Sequence, residues 1–334
     1  AGLRAEATRR AQQFHSSRLE TAYLGGGTPS MLSPAHLGNL MDGLREIFEF
    51  EHRAELNLEA NPATFGRARA EAFARSGVTR ISLGAQSFDR EVLKTLGRTH
   101  GPDDICRSVD LLRQAGIENI SIDLMFSIPG QSVGQWKRSL QDALMLEPDH
   151  ISAYNLTYEE DTPFFERLQT GFYEEQEDLN VAMFEIAHET LTGRGYRHYE
   201  TSNYARPGFE SRHNQAYWAG RDYLGLGPSA VSTIGGRRWK NIPDTARYLH
   251  QLEQVGHAEH EIEDLSSDQL DLERIALLLR TDLGVPRRHL TAVDPHRIAH
   301  TLEEGLAEWR EDHLRLRGRG PLLVDSIVSH LVTS

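Results

Sequence analysis

Residues 21–29 read Thr-Ala-Tyr-Leu-Gly-Gly-Gly-Thr-Pro and join a short predicted strand, Thr21–Leu24, to a glycine-rich turn. Four more short apolar runs follow, each bounded by turn residues, at 56–60, 80–85, 119–126 and 150–157. Helical patterns alternate with them, at 3–17, 34–49, 64–76, 101–115 and 132–146. This alternation predicts an α/β fold whose parallel strands are joined by right-handed crossovers. The strands form either an open doubly wound sheet or a partial barrel, and periodicity alone favours neither.

The alternation stops near residue 160. We therefore predict one domain over 1–160 and, over 161–262, an extension of it that is rich in Tyr, Asn, Gly and Glu. From residue 263 a capped apolar helix, an alternating strand and a final helix follow, at 270–279, 312–319 and 322–332. Helices around a short hairpin predict a small α+β, winged-helix-like domain over 263–334.

Residues that favour helix ends support these boundaries. Ser33 precedes Pro34, which places a capping hydroxyl before a proline at the first helical position. Gly77 and Gly116 stand where left-handed helix caps are expected. Ser266 and Gln269 have the spacing of a capping box.

Composition excludes several classes of protein. The 334 residues carry 36 Lys and Arg against 49 Asp and Glu, a net charge of −13, so sequence-independent nucleic-acid binding is not expected. The longest aliphatic run, Ile275–Leu279, is far shorter than a membrane span. We expect no signal peptide, and the single cysteine, Cys106, favours a reducing cytoplasm.

Polar residues or glycines follow four consecutive predicted strands. They are Gly25–Thr28 after the first, then Glu59, Gln86 and Asp123. In parallel α/β folds the carboxyl ends of the strands build the binding site, so these residues predict one. Three glycines let a ligand approach the backbone, and the carboxylates accept hydrogen bonds from hydroxyl or ammonium groups. Arg98 is either a bidentate carboxylate ligand or a solvated arginine at a helix end.

A second group of candidates lies in residues 211–218, Ser-Arg-His-Asn-Gln-Ala-Tyr-Trp. His213 and Tyr217 are four residues apart and share a helix face. A histidine flanked by aromatic rings can bind a heme iron or stack on a flat ring. From spacing alone, a buried, hydrogen-bonded histidine beside core aromatic residues is favoured. Two histidine pairs, His296 with His300 and His257 with His260, lack a third ligand and are interpreted as surface residues.

Six motifs stand in the order of one protein family: Tyr23-Leu-Gly-Gly-Gly-Thr-Pro-Ser30, Glu59-Ala-Asn-Pro62, Ser82-Leu-Gly-Ala-Gln-Ser-Phe88, Leu96-Gly-Arg-Thr-His100, Asp123-Leu-Met-Phe-Ser-Ile-Pro-Gly-Gln131 and His213-Asn-Gln-Ala-Tyr-Trp218. From about residue 20 to its end the chain resembles the oxygen-independent coproporphyrinogen III oxidase-like radical S-adenosylmethionine (SAM) proteins. The His-Asn-x-x-Tyr-Trp stretch is similar to that of the heme chaperone branch.

The resemblance implies a partial parallel (βα)6 barrel that lacks its first strand, with SAM bound at the carboxyl ends of the strands. The backbone of Gly25, Gly26, Gly27 and Thr28 would hold the methionine moiety. The other positions that match the family's binding site are Glu59, Gln86, Arg98 and Asp123. The heme-associated positions are His213, Asn214, Tyr217 and Trp218.

The chain departs from the family at its cluster loop. Family members carry a Cys-x-x-x-Cys-x-x-Cys loop after the first strand, which holds a [4Fe–4S] cluster. This sequence has only Cys106, which lies after Arg98, and it begins with Ala1 rather than Met. We expect an N-terminally truncated chain whose full-length parent holds the cluster. The chain as given is expected neither to assemble that cluster nor to run radical chemistry.

Three functions follow from these observations. The first is a heme chaperone that binds SAM and heme and delivers heme to a client protein. The alternative is oxygen-independent coproporphyrinogen III oxidase, which decarboxylates propionates in porphyrin biosynthesis. The third, an unrelated iron-free (βα) enzyme, predicts no affinity for SAM. The sequence indicates neither the client nor the oligomeric state.

Overall fold

The computed structural model describes residues 1–14, 18–157, 170 and 176–332. Residues 15–17 of the first predicted helix, and 161–169 and 171–175 of the predicted barrel extension, lie outside this part. The described helices are α1 (Gly2–Gln13), α2 (Pro34–Ile47), α3 (Arg67–Arg75), α4 (Arg90–Thr95), α5 (Pro102–Gln114), α6 (Val133–Met145), α7 (Glu177–Thr192), α8 (Arg212–Trp218), α9 (Thr245–Gln254), α10 (Ser267–Leu278), α11 (Pro295–Glu303) and α12 (Val324–Val332).

The described strands are β1 (Arg18–Leu24), β2 (Glu49–Ala60), β3 (Arg80–Gln86), β4 (Asn119–Phe126), β5 (His150–Asn155), β6 (Arg197–Glu200), β7 (Asn203–Ala205), β8 (Val231–Ile234), β9 (Arg237–Asn241), β10 (Glu259–Asp264), β11 (Val285–Pro286), β12 (Ala307–Arg310) and β13 (His313–Leu316). All five strands predicted for the first half of the chain are present, and β4 has the predicted bounds.

The largest sheet has seven strands in the order β1-β2-β3-β4-β5-β7-β6. Strands β2 to β5 are parallel, and β7 is antiparallel to both β5 and β6. This curled, mostly parallel sheet confirms the predicted α/β half-barrel and excludes the open doubly wound alternative. The hairpin of β6 and β7 was not predicted, because its short polar-aromatic segments lack the apolar runs of the parallel strands.

The predicted helix ends are confirmed. Helix α2 begins at Pro34, and the Ser33 hydroxyl accepts a hydrogen bond from the His36 backbone N–H. Gly77 and Gly116 adopt φ values of +81° and +86°, which side chains disfavour. Ser266 and Gln269 form the reciprocal capping box of α10.

The chain divides into two compact units. One contains residues 23–37 and 55–210, and therefore most of the parallel sheet. The other contains residues 1–22, 38–54 and 211–334, with two three-stranded antiparallel sheets, β10-β9-β8 and β11-β13-β12. The division into 1–160, 161–262 and 263–334 stays a prediction.

The C-terminal segment has a hydrophobic core of its own. Helices α10, α11 and α12 surround the β12–β13 hairpin, as the sequence predicted. Ile275, Val285, Leu314 and Ile327 are buried together there. Among the described helices, none is both long and apolar enough to cross a lipid bilayer.

A buried carboxylate anchors helix α1. Glu6 is 2% exposed and accepts hydrogen bonds from the Tyr248 hydroxyl at 2.5 Å, the Gly227 backbone N–H at 2.9 Å and the Asn241 side-chain amide at 2.7 Å. One turn later, Arg10 forms an ion pair with Glu259 at 2.6 Å. Because an ionised group in the interior must be paired, these donors make α1 part of the fold of its unit.

We expect Tyr248→Phe to lower the free energy of unfolding by about 1–3 kcal/mol, because it removes one donor from a buried carboxylate without changing the ring. Tyr223→Phe is the matched control, since no side-chain hydrogen bond of Tyr223 is found among the described residues, and its effect should stay within about 0.5 kcal/mol. Urea denaturation of the three proteins measures the difference. Equal losses in both variants would contradict a special role for the Glu6 contact.

Candidate functional site

Alternation along the parallel strands separates a polar face of the sheet from an apolar one. Strand β4 carries Ser121 and Asp123 on one face and the fully buried Ile122 and Leu124 on the other. The register places Ser121 of β4 opposite Ser82 of β3. It also pairs Asp123 with Ser152 of β5. Strands β3, β4 and β5 therefore present polar side chains to a shared space, while their apolar side chains form the core.

A cavity of about 230 Å³ opens at the carboxyl ends of these strands. Its wall includes the glycine loop from Gly27 to Pro29 and the end of β2 from Glu59 to Asn61. The other lining residues come from β1, β3, β4 and β5, namely Tyr23, Ser82, Gly84, Gln86, Asp123 and Tyr154. The structure thus brings together the glycine loop, Glu59, Gln86 and Asp123, as the strand ends predicted.

The glycine loop is tied to the Glu59 carboxylate. The Tyr23 hydroxyl donates to one oxygen of Glu59 at 2.6 Å, and the Gly26 backbone N–H donates to the other at 3.2 Å. Gly26 and Gly27 have φ values of +77° and +69°, whereas a Cβ at Gly25 would lie 2.5 Å from the Tyr23 ring. Gly26 and Gly27 are therefore required by backbone conformation, and Gly25 is required by close packing.

Gln86 ends β3 in a strained conformation. Its φ is +63°, a value that non-glycine residues adopt at a cost of about 1–3 kcal/mol. The Tyr154 hydroxyl holds it by donating to the Gln86 side-chain oxygen at 2.5 Å. Burial, together with the charge of Asp123, raises the pKa of Tyr154, so its hydroxyl stays protonated as a donor. Such strain is typical of positions that serve a site rather than stability.

Asp123 lies at the centre of the polar face. Burial raises the pKa of its carboxyl group to about 6, against the opposing effect of hydrogen bonds from Ser82, Ser152 and Ser121 and of the Arg80 charge. At neutral pH Asp123 is therefore mostly ionised and close to its titration range. It accepts hydrogen bonds on the side of the serines and faces the cavity, where it can accept further ones.

Arg98 does not line the cavity. It is half-buried in the segment after α4, and its guanidinium makes no ion pair or side-chain hydrogen bond among the described residues. The charge of Arg98 lowers the pKa of Tyr154, in opposition to burial, which places the guanidinium within electrostatic reach of the site.

The second group of candidates lies on helix α8. The hydroxyl of Ser211 caps the helix by accepting from the Asn214 backbone N–H, and Nδ1 of His213 lies 3.0 Å from the Thr21 hydroxyl. The Tyr217 ring is 44% exposed and contacts Trp218 at 5.4 Å between centroids. His213 is hydrogen-bonded and half-buried, but the expectation of a core around it is wrong, because α8 buries none of its residues.

The residues present do not fit an iron–sulfur cluster. Cys106, the single cysteine of the sequence, is exposed on α5, and a cluster of this family needs three thiolates. Among the described residues no group of three His, Cys, Asp or Glu could hold a metal ion. His300 of the predicted surface pairs contacts the His330 ring instead, at 5.4 Å between centroids.

Tyr154 and Ser82 also line the cavity, although neither was predicted to do so. The sequence could have indicated both, because residues two apart on a strand share a face of the sheet. Tyr154 is two residues from Ser152, and Ser82 is two residues from Arg80. What the pattern does not give is the cross-strand register that brings them to Asp123.

Comparison with known proteins places the chain in a family. Residues 4–143 match the radical SAM superfamily. The heme chaperone HemW of Mycobacterium tuberculosis is 34% identical over 99% of this chain and 85% of its own length. The heme chaperone HemW of Lactococcus lactis is 38% identical over 82% of this chain and 72% of its own length.

A solved structure has the same fold. Coproporphyrinogen III oxidase HemN from Escherichia coli, described as a radical SAM enzyme, superimposes with a TM-score of 0.83 over 98% of this chain and 81% of the oxidase chain, at 23% sequence identity. The radical SAM superfamily implies SAM and a [4Fe–4S] cluster as cofactors. The Mycobacterium tuberculosis relative matches nearly the whole chain, and with the radical SAM match it shows that the chain belongs to the radical SAM family of the HemW heme chaperones.

Proposed function

We propose that this chain is a heme chaperone that binds SAM in the cavity at the strand ends, associates with heme through α8, and delivers heme to a client protein. The observation that carries the proposal is the likeness, over almost the whole chain, to relatives named heme chaperones. The cavity with its glycine loop and two carboxylates supports the SAM part. A cytoplasmic location and the absence of a nucleic-acid partner stay predictions from composition.

The cavity residues have chemistry that suits SAM. Its ammonium and ribose hydroxyl groups are donors, and the carboxylates of Glu59 and Asp123 are acceptors. The exposed loop from Gly25 to Thr28 offers backbone groups without side chains in front of them. In radical SAM proteins, bound SAM is the source of an organic radical when a cluster supplies an electron. No step of that chemistry is assigned to this chain, because its residues do not provide the cluster thiolates.

Helix α8 has features that suit a flat, iron-containing ring. An exposed tyrosine beside a half-buried tryptophan offers stacking surface, and a histidine on the same face offers a nitrogen ligand. If Nε2 of His213 binds the iron, Nδ1 carries the proton and donates it to the Thr21 hydroxyl, 3.0 Å away, and this contact would fix the orientation of the imidazole.

We expect Glu59→Gln to weaken SAM binding at least about tenfold, because a charged acceptor for the ligand and for the Gly26 backbone is replaced by a neutral amide. Isothermal titration calorimetry measures the dissociation constant. Glu91→Gln is the control, since Glu91 is an exposed residue of α4 that does not line the cavity. A dissociation constant that does not change in Glu59→Gln would reject this assignment of the cavity.

We expect His213→Ala to abolish the heme-dependent shift of the Soret band, because it removes the proposed nitrogen ligand. Heme titration followed by absorbance checks this, with His296→Ala as the control for loss of an exposed histidine. If the Soret shift is unchanged in His213→Ala, the assignment of heme binding to this helix is wrong.

The oxidase alternative has its own test. Anaerobic assays on a cluster-loaded parent protein decide it, and conversion of coproporphyrinogen III to protoporphyrinogen without heme binding would favour the oxidase over the chaperone. The third function, an iron-free enzyme, requires that SAM does not bind at all.

A further inference from the structure

We propose that Ser121 and His150 are positioning residues for Asp123: His150 donates a hydrogen bond to Ser121, Ser121 donates to Asp123, and this directed chain holds the carboxylate ionised and oriented toward the ligand in the cavity. The proposal deepens the proposed function and rests on it, since it concerns the same SAM site. It assigns a role to residues of the sheet that do not themselves touch the ligand.

The ionised carboxylate of Asp123 can only accept, and this assigns a direction to each donor that leads to it. The Ser121 hydroxyl lies 3.1 Å from one oxygen of Asp123 and donates its single proton to that carboxylate. Nδ1 of His150 lies 2.8 Å from the same hydroxyl, so Nδ1 carries the proton and donates to Ser121. Nε2 of His150 must then be an acceptor, and the Tyr199 hydroxyl, 2.8 Å away, donates to it. Every proton in this series of hydrogen bonds points toward Asp123.

Burial makes this series of hydrogen-bonded side chains rigid. His150 is 1% exposed and Tyr199 is 2% exposed, and the two rings meet edge to face at 5.6 Å between centroids. Burial and the charge of Arg80 hold the pKa of His150 well below its usual value, so the imidazole is neutral and keeps one donor and one acceptor. Hydrogen bonds in a low-dielectric interior polarise one another. A series of uncharged donors can therefore stabilise the ionised carboxylate at its end.

Asp123 is surrounded by groups of both signs. Ser82 donates to both carboxylate oxygens, at 2.9 and 2.8 Å, and Ser152 donates as well. The titratable and charged side chains around it come from four strands and one loop: Tyr23, Glu59, Arg80, His150, Tyr154 and Arg98. Burial raises the pKa of the carboxyl group to about 6, so loss of a donor near it moves its titration into the neutral range.

The sign of the effect follows from which form the donors stabilise. Hydroxyl donors stabilise the ionised carboxylate, so removal of a donor raises the pKa of Asp123. Ligand donors require the same ionised form, so SAM binding weakens as the pH falls through this pKa. A variant that interrupts this series of hydrogen bonds therefore shifts both the titration of Asp123 and the loss of SAM binding to higher pH.

The experiment measures the titration of Asp123 and the binding of SAM over the range of about pH 5 to 8. Nuclear magnetic resonance of the protein labelled with 13C at the aspartate carboxyl carbon reports the titration, and Asp123→Asn assigns the signal. Calorimetry with SAM reports the dissociation constant at each pH. The variants are His150→Leu, Ser121→Ala, their double variant and His150→Gln, which keeps a donor and an acceptor. Ser108→Ala, which removes another buried hydroxyl, on α5, is the matched control.

We expect His150→Leu and Ser121→Ala to raise the midpoint of both transitions by about 0.5–1 pH unit. His150→Gln should bring the midpoint most of the way back to that of the unmodified protein. Ser108→Ala should not shift the midpoint. Because His150 acts through Ser121, the double variant should shift the midpoint no further than Ser121→Ala alone. A role in folding alone would lower stability but leave the midpoint in place.

The two readouts separate failure of this proposal from failure of the proposed function. If SAM binds to the unmodified protein but the midpoint of Asp123 is the same in His150→Leu, the positioning role is overturned. Additive shifts in the double variant would also overturn it, since His150 would then act independently of Ser121. If the carboxyl titration shifts as expected but SAM does not bind at any pH, the positioning of Asp123 stands and the SAM assignment fails.

Discussion

The parallel register of β2 to β5 is the constraint on which the site depends. Each strand alternates polar and apolar residues, and the register decides which polar residues of neighbouring strands meet. With Ser82 opposite Ser121 and Asp123 opposite Ser152, three hydroxyl groups surround one carboxylate. A shift of one residue in any strand would turn its polar side chains into the apolar core and its apolar side chains into the cavity. The hydrophobic face therefore enforces the geometry of the polar one.

The polar face of the sheet holds two energetically unfavourable features, a buried carboxylate and a strained backbone, and neighbouring groups stabilise both. A carboxylate loses hydration when it is buried, and the serine donors together with the charge of Arg80 offset part of this loss. Gln86 in a left-handed conformation adds strain, which the Tyr154 hydrogen bond helps to hold. Groups kept in costly states by their surroundings do not reorganise when a ligand arrives. Such costs are typical of residues that serve a binding site rather than stability.

Helix α8 is a different kind of feature. It has a capping serine and a hydrogen-bonded histidine, yet it buries none of its side chains. A helix of this length gains little from intrinsic propensity, and its partly exposed aromatic side chains gain less from the hydrophobic effect than buried ones would. Such exposure on an ordered helix indicates a contact surface, which is why the heme proposal is placed there and not on the histidine pairs elsewhere.

The sequence by itself determined the α/β class, the positions of β1 to β5, the helix caps and the family, because these depend on periodicity, on turn chemistry and on motifs in a fixed order. It also indicated that Glu59, Gln86 and Asp123 end neighbouring strands. It could not determine that Arg98 lies outside the cavity wall or that the residues of α8 are not core. Only the tertiary structure decided that Ser82 and Ser121 contact Asp123, and that His150 and Tyr199 are linked to it through Ser121. The physical reason is that these contacts join strands 29 to 49 residues apart, and their register depends on packing of the whole sheet.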